Sequence, residues 1–169
     1  KYEVYLKQVG DETFPITGFF QVTEDDKVFD GDVVISGVKD SWLTIALTKT
    51  FDYSGGNLMV CVYDKTGTAE TVNYHKFYVY GVDSYRGMTN QGTNPYDMSN
   101  LQSVMGFGKQ ILNQIKFEMD GKPIVVVEPE TIDLGETMLG GYWSEAEPFE
   151  VSVKAVSTKV TKIESDNAF

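Results

Sequence analysis

The chain contains a single cysteine and a single histidine among its 169 residues. Cys61 therefore has no partner for an intrachain disulfide, and no cysteine-based zinc site can be assembled. A serine or cysteine triad needs a base beside its nucleophile, and only His75 could supply one. Because His75 lies in an alternating strand pattern with no nucleophile-elbow motif nearby, we interpret it as structural. We expect a protein that is not an enzyme.

Basic residues are also scarce. The chain has 14 Lys and Arg against 25 Asp and Glu, for a net charge of -11, and no cluster of lysines or arginines concentrates positive charge. Such a surface repels a phosphate backbone, which excludes nucleic acid as an expected partner. No run approaches the roughly 18 apolar residues of a membrane helix, so we expect no membrane insertion.

Hydrophobic residues instead alternate with polar ones at a period of two, which is typical of half-buried strands. The pattern recurs at Tyr2 to Leu6, Leu43 to Leu47, Leu58 to Val62, Phe77 to Val79 and Ile115 to Met119. Turn residues punctuate it at Phe29 to Asp32, Ser54 to Asn57 and Asp64 to Gly67. Many short strands with closely spaced turns predict an all-β antiparallel sandwich.

The pattern lapses between Gly81 and Gly108, which we expect to be a long functional loop with a short helical turn at Leu101 to Met105. Exposed aromatic side chains bind sugars or peptides, and the candidates are Tyr80, Tyr85, Tyr96 and Trp143. The alternative is that these rings fill the core, as most of the 10 Tyr and 10 Phe must. Trp42 is interpreted as a core or rim residue.

Four aspartates, Asp25, Asp26, Asp30 and Asp32, lie close together in sequence. Calcium takes six to eight oxygen ligands from carboxylates and carbonyls, so these residues are candidate ligands of a structural calcium ion, the only cofactor considered. A plain acidic turn is the alternative. A glycosidase would need two carboxylates about 5 to 10 Å apart across a cleft, a pairing that sequence alone does not test.

A polar turn at Asp120 to Pro123 separates the strand ending at Met119 from a new apolar run. We therefore predict one domain over residues 1–120 and the start of a second over residues 121–169. The second shows two further alternating segments, Phe149 to Ala155 and Val156 to Ile163. The 46 residues from Ile124 to Phe169 make only part of a sandwich.

Residues 1–117 resemble a jelly-roll domain of secreted Bacteroidetes surface proteins, related to the hemagglutinin and cleaved-adhesin domains attached to gingipain-type proteases. The resemblance is carried by YEVYL at Tyr2 to Leu6, KVFDGDV at Lys27 to Val33, the run WLTIALTKTFDYSGGNLMVCVYDKTGT at Trp42 to Thr68, and NQIKF at Asn113 to Phe117. It implies a jelly-roll-like β-sandwich and a location that is secreted or at the bacterial cell surface.

Domains of that family begin several strands before the YEVYL strand, so the resemblance implies a sandwich that is incomplete at its N-terminus. An incomplete sandwich exposes a strand edge, which invites pairing with another strand. We therefore expect a complementing strand, from the rest of the parent protein or from another chain, and look for it beside Tyr2 to Leu6.

Residues 124–169 resemble the first half of the short Ig-like domain that follows in such proteins, through IDLG at Ile132 to Gly135, FEVSVKA at Phe149 to Ala155 and KVTKIESDNAF at Lys159 to Phe169. Together the resemblances imply a non-catalytic adhesion module that contacts glycan or host protein. The alternative is a structural spacer or an accessory domain of a secreted protease or glycoside hydrolase.

Overall fold

The computed structural model describes residues 1–15, 18–35, 38–67, 76–92, 94–120, 123–128, 150–155 and 158–168. The strands are β1 (Tyr2–Val9), β2 (Lys27–Gly31), β3 (Ser41–Tyr53), β4 (Asn57–Asp64), β5 (Lys76–Phe77), β6 (Val79–Gly81), β7 (Gly87–Thr89), β8 (Phe107–Lys109), β9 (Ile111–Asn113), β10 (Ile115–Asp120), β11 (Pro123–Glu128), β12 (Glu150–Ala155) and β13 (Thr158–Ala168). Two 3-10 turns span Glu24–Asp26 and Met98–Ser103. No helix in these ranges is long and apolar enough to cross a membrane.

Two antiparallel sheets form the body of the protein. The first has the order β2-β1-β4, and the second has the order β10-β13-β3 with β5 beside β13. The inner faces of the two sheets meet in one cluster, in which Val4, Leu6 and Val28 of the first sheet pack with Val160 and Ile163 of the second. The predicted all-β antiparallel sandwich is confirmed, while jelly-roll connectivity stays a prediction.

The alternating runs predicted as strands at Tyr2, Leu43, Leu58 and Ile115 lie in β1, β3, β4 and β10. The turn at Ser54 to Asn57 is also confirmed, because Gly55 and Gly56 adopt φ of 106° and 86°, a conformation that favours glycine. The turn predicted at Phe29 to Asp32 is wrong. Phe29 to Gly31 continue β2, where pairing with β1 overrides the local preference of Asp-Gly for a turn.

The strand edge expected beside Tyr2 to Leu6 does not exist. β1 is the central strand of its sheet and pairs with β2 on one side and with β4 on the other. The expectation was wrong because the strands that flank β1 come from residues 27–31 and 57–64 of the same chain.

The C-terminal strand β13 lies at the centre of the second sheet. β13 pairs with β3 along one edge and with β10 along the other, so that Glu164 lies opposite both Thr44 and Lys116. β11 and β12 pair with each other in a separate two-stranded antiparallel ladder that begins with Pro123 opposite Ala155. Residues 158–168, which the sequence assigns to the second domain, thus pair with strands of residues 1–120. The division at residue 120 and an Ig-like second unit stay predictions.

Candidate binding surfaces

Two long connecting segments, one after β1 and one before β8, cover the outer face of the first sheet. Tyr5 and Met59 on this face pack against Val22 and Leu101, which come from the segments after β1 and before β8. Phe14 and Phe20 extend the cluster, with ring centroids 5.1 Å apart. Because β1 is covered on both faces, consecutive side chains from Val4 to Leu6 are all buried.

The predicted loop from Gly81 to Gly108 is therefore an ordered layer. It contains β7, β8 and the 3-10 turn Met98–Ser103, close to the helical turn expected at Leu101 to Met105. Gln21, which lies in the connecting segment after β1, hydrogen-bonds to this layer. Its Nε2 donates to the Met98 carbonyl at 2.7 Å, and its Oε1 accepts from the Gln102 amide at 3.2 Å.

A cleft of about 650 Å³ lies between the two connections. Its apolar wall consists of Phe19, Phe20, Val104 and Met105, and the Met105 side chain is 65% exposed. The remaining lining residues are Pro15, Gly18, Gln21, Gln102 and Ser103. The Gln21 amide and the Ser103 hydroxyl both hydrogen-bond to protein atoms, so the groups that the cleft offers to an occupant are mostly apolar.

Two of the predicted aromatic candidates lie on the surface near Gln110. Tyr80 is 50% exposed on β6, opposite Leu112 of β9. Tyr85 is 52% exposed, and its ring lies so close to Gly108 that a Cβ there would be 2.9 Å from Tyr85 Cδ1. The segment between them is tied to Gln110, whose carbonyl accepts from the Val82 amide at 3.0 Å.

Tyr96 has a different environment. Its hydroxyl donates to Asn90 Oδ1 at 2.8 Å, and its amide donates to the Tyr63 hydroxyl at 2.9 Å. The Tyr63 and Tyr96 rings meet edge to face at 5.8 Å. These contacts tie Tyr96 to Tyr63 of β4 and to Asn90, so that Tyr96 anchors the layer. Trp143 and His75 lie outside the described residues.

Three of the four aspartates predicted as calcium ligands make separate contacts. The Asp26 carboxylate accepts from the Thr23 amide at 2.8 Å and lies 3.3 Å from Lys7 Nζ. Asp30 pairs with Lys1 at 3.3 Å, and the Asp25 carbonyl accepts from Lys49. Within the described ranges, no three His, Cys, Asp or Glu side chains are placed together as a metal site. Calcium binding by Asp25, Asp26, Asp30 and Asp32 stays a prediction.

A buried ion cluster lies on the same face of β1 as Tyr5. Glu3 is only 5% exposed, and it accepts from Lys65 Nζ at 2.7 Å and from the Tyr5 hydroxyl at 2.6 Å. Lys27 lies 3.5 Å from the same carboxylate and 5.6 Å from the Tyr5 ring centroid. Burial raises the pKa of Glu3, but the hydrogen bonds from Lys65 and Tyr5 and the charge of Lys27 outweigh it, so the pKa is lowered. Burial and the Glu3 carboxylate raise the pKa of Tyr5.

Cys61 is half-buried against the cluster around Tyr5 and borders a small cavity of about 80 Å³. Burial, together with the charge of Glu3, raises the pKa of its thiol to about 11. A thiol with such a pKa is almost fully protonated at neutral pH and is a poor nucleophile. Cys61 therefore packs as a small, partly buried side chain against this cluster.

The outer face of the second sheet carries a further exposed aromatic residue. Ile45 and Leu47 of β3 pack against the core, and the alternation therefore directs Trp42, Thr44 and Ala46 outward. Trp42 is 43% exposed, so of its two interpretations, core or rim, the core is excluded. The signal was present in the sequence, because a residue at odd spacing from Leu43, Ile45 and Leu47 must face away from them.

Charged side chains from β10 and β13 continue this face. Glu164 accepts from the Thr44 hydroxyl at 2.9 Å and from Lys116 Nζ at 3.0 Å. Lys162 pairs with Glu118 at 2.5 Å and with Glu164 at 3.4 Å. The Lys116 and Thr44 hydrogen bonds lower the pKa of Glu164 to about 2, with Lys162 adding to the effect. We call the surface formed by these side chains the Trp42 face; it comprises Trp42, Thr44, Ala46, Lys116, Glu118, Lys162 and Glu164.

The cleft was not predicted from the sequence. Its residues come from two segments more than 80 positions apart, and neither Phe19 nor Met105 belongs to a motif. Comparison of the chain with protein families, with curated proteins and with solved structures finds no match.

Proposed function

We propose that this protein is a non-catalytic binding and adhesion module of a bacterial surface or secreted protein, and that it contacts a host protein through the cleft. The observation that carries the proposal is the open apolar cleft between residues 15–21 and 102–105. Ligand sites are concave and largely apolar, and they measure about 300 to 1,000 Å³.

The chemistry of the cleft favours a protein over a glycan as its occupant. Phe19, Val104 and Met105 offer apolar contacts, and methionine adapts its shape to different partners. A sugar needs several hydrogen-bonding groups, whereas Gln21, Gln102 and Ser103 are the only polar side chains among the described residues of the lining, and Gln21 and Ser103 hydrogen-bond within the protein. An apolar side chain of a peptide segment therefore fits better.

The net charge of the chain favours one class of protein partner. A net charge of -11 attracts a basic surface and accelerates its association, and this effect weakens as salt is added. The expected occupant is therefore a protein segment that combines an apolar anchor with lysine or arginine neighbours.

Selection from a displayed random-peptide library tests this proposal. Met105→Glu places a charge at the cleft, while Val34→Glu makes the same kind of change at a side chain that is 85% exposed and does not line the cleft. We expect peptides rich in apolar and basic residues, with binding that falls at least about tenfold in Met105→Glu and persists in Val34→Glu.

Two outcomes contradict the proposal. One is that no peptide binds saturably to the folded protein. The other is that peptides bind Met105→Glu and the unaltered protein equally well, which would leave the cleft without a role and favour a structural spacer.

A further inference from the structure

The Trp42 face combines two features that are each required for sugar recognition. An exposed indole offers a flat apolar surface to the C–H side of a pyranose ring, and neighbouring polar groups can pair with its hydroxyls. On this face Trp42 is exposed, and Thr44 follows on the same side of β3, roughly 7 Å further along the strand.

The polar part of the face is held in position by its own ion pairs. Glu164 is fixed by Thr44 and Lys116, and Lys162 bridges Glu118 and Glu164. Side chains that are already ordered lose less freedom when a ligand binds. Lys116 and Glu118 remain 64% and 59% exposed, so a ligand can reach one donor and one acceptor.

We propose that the Trp42 face is a binding surface for a neutral oligosaccharide, on which the Trp42 indole stacks against one pyranose ring while Lys116 and Glu118, two strands away on β10, hydrogen-bond to hydroxyls of the neighbouring rings. This site lies on a different sheet from the cleft, and the proposal does not depend on the cleft.

The charge balance of the face favours a neutral sugar. Lys116 and Lys162 are matched by Glu118 and Glu164, so these four side chains together carry no net charge although the whole chain is acidic. An anionic glycan would meet two lysines that are already neutralised. A protein partner would need an apolar centre to its interface, and this face offers only Trp42 and Ala46.

The experiment uses the full chain and a panel of neutral oligosaccharides, with gluco-, manno-, galacto-, xylo- and N-acetylglucosamine-based hexamers. The chain has two tryptophans, Trp42 and Trp143. A Trp143→Phe background therefore makes Trp42 the only fluorophore that reports indole burial, and calorimetry on the unaltered protein gives affinities.

We expect at least one oligosaccharide to bind saturably and to change the Trp42 fluorescence. Trp42→Ala should lower its affinity at least about tenfold, whereas Trp42→Phe should retain part of it. Phe107→Ala is the matched control, because it removes a ring that is 58% exposed on β8, outside both proposed binding surfaces, and should leave the affinity unchanged. Circular dichroism confirms that each variant is folded.

The proposal is overturned if no member of the panel binds. It is also overturned if binding survives Trp42→Ala in a folded protein, or if Phe107→Ala weakens binding as much as Trp42→Ala does. Peptide binding at the cleft, measured with Met105→Glu, is a separate readout, so failure of one site does not imply failure of the other.

Discussion

The Tyr5 hydroxyl donates a 2.6 Å hydrogen bond to Glu3, two residues earlier on the central strand β1. Both side chains are buried, and the carboxylate also holds Lys65 of the turn after β4. Removing one donor from a buried carboxylate leaves its charge partly unsatisfied. Loss of the hydrogen bond between Tyr5 and Glu3 should therefore destabilise the first sheet as a whole.

Tyr5→Phe should lower the free energy of unfolding by about 1.5 kcal/mol, the usual value of a hydrogen bond to a charged group. Urea denaturation of the wild type and of Tyr5→Phe measures this difference in the free energy of unfolding. Tyr80→Phe removes the same hydroxyl from an exposed ring and should leave stability unchanged. Equal effects of the two substitutions would show that the Glu3 contact contributes nothing.

Glu164→Gln should destabilise the protein in a way that depends on pH. The folded-state pKa of Glu164 is about 2, below its ordinary value of 4.5. The ionised carboxylate therefore adds stability above about pH 4.5, and this stability is lost as the pH falls towards 2. The difference in unfolding free energy between wild type and Glu164→Gln should be largest near pH 7 and vanish near pH 2. Glu12→Gln, at an exposed residue, should show no such trend.

Gly87→Ala should destabilise the layer that covers the first sheet. A Cβ at Gly87 would lie 2.7 Å from the Ile111 carbonyl oxygen, which is backbone and cannot move aside cheaply. Overpacking of this kind costs on the order of 1 to 3 kcal/mol. Gly81→Ala is the matched control, since its Cβ would meet nothing within 4 Å. Equal melting temperatures for Gly87→Ala and Gly81→Ala would contradict the placement of β7 against β9.

Tyr63→Phe should loosen the segment anchored by Tyr96. The substitution removes the hydroxyl that accepts from the Tyr96 amide while leaving the edge-to-face ring contact in place. Amide exchange at Tyr96 should become faster, with little change at β1. Unchanged exchange at Tyr96 would mean that this hydrogen bond does not hold the segment.

The sequence predicted most strands because alternation is a local signal. Residues such as Leu43 and Ile45 reveal an inward face without knowledge of the partner strand. The strand order was not predictable in this way: Thr44 and Glu164 are opposite one another although 120 residues separate them. Which distant strands pair depends on packing between faces, which single-sequence periodicity does not contain.

The binding surfaces were only partly predictable for the same reason. Tyr80 and Tyr85 are exposed as a binding role requires, whereas Tyr96 is used to anchor the chain. The exposure of Trp42 follows from the alternation of β3, although the sequence interpretation left both the core and the rim open. The cleft depends on two connections that meet only in the folded protein.

The central structural claim is that β13 is a core strand of the sandwich, paired on both sides and supplying Val160 and Ile163 to its interior. Native-state hydrogen exchange tests it most directly, by comparing the amides of Val160 to Glu164 with those of Val4 to Leu6. We predict that both groups exchange only through global unfolding, with the same opening free energy. Rapid exchange in β13 while β1 stays protected would contradict the account.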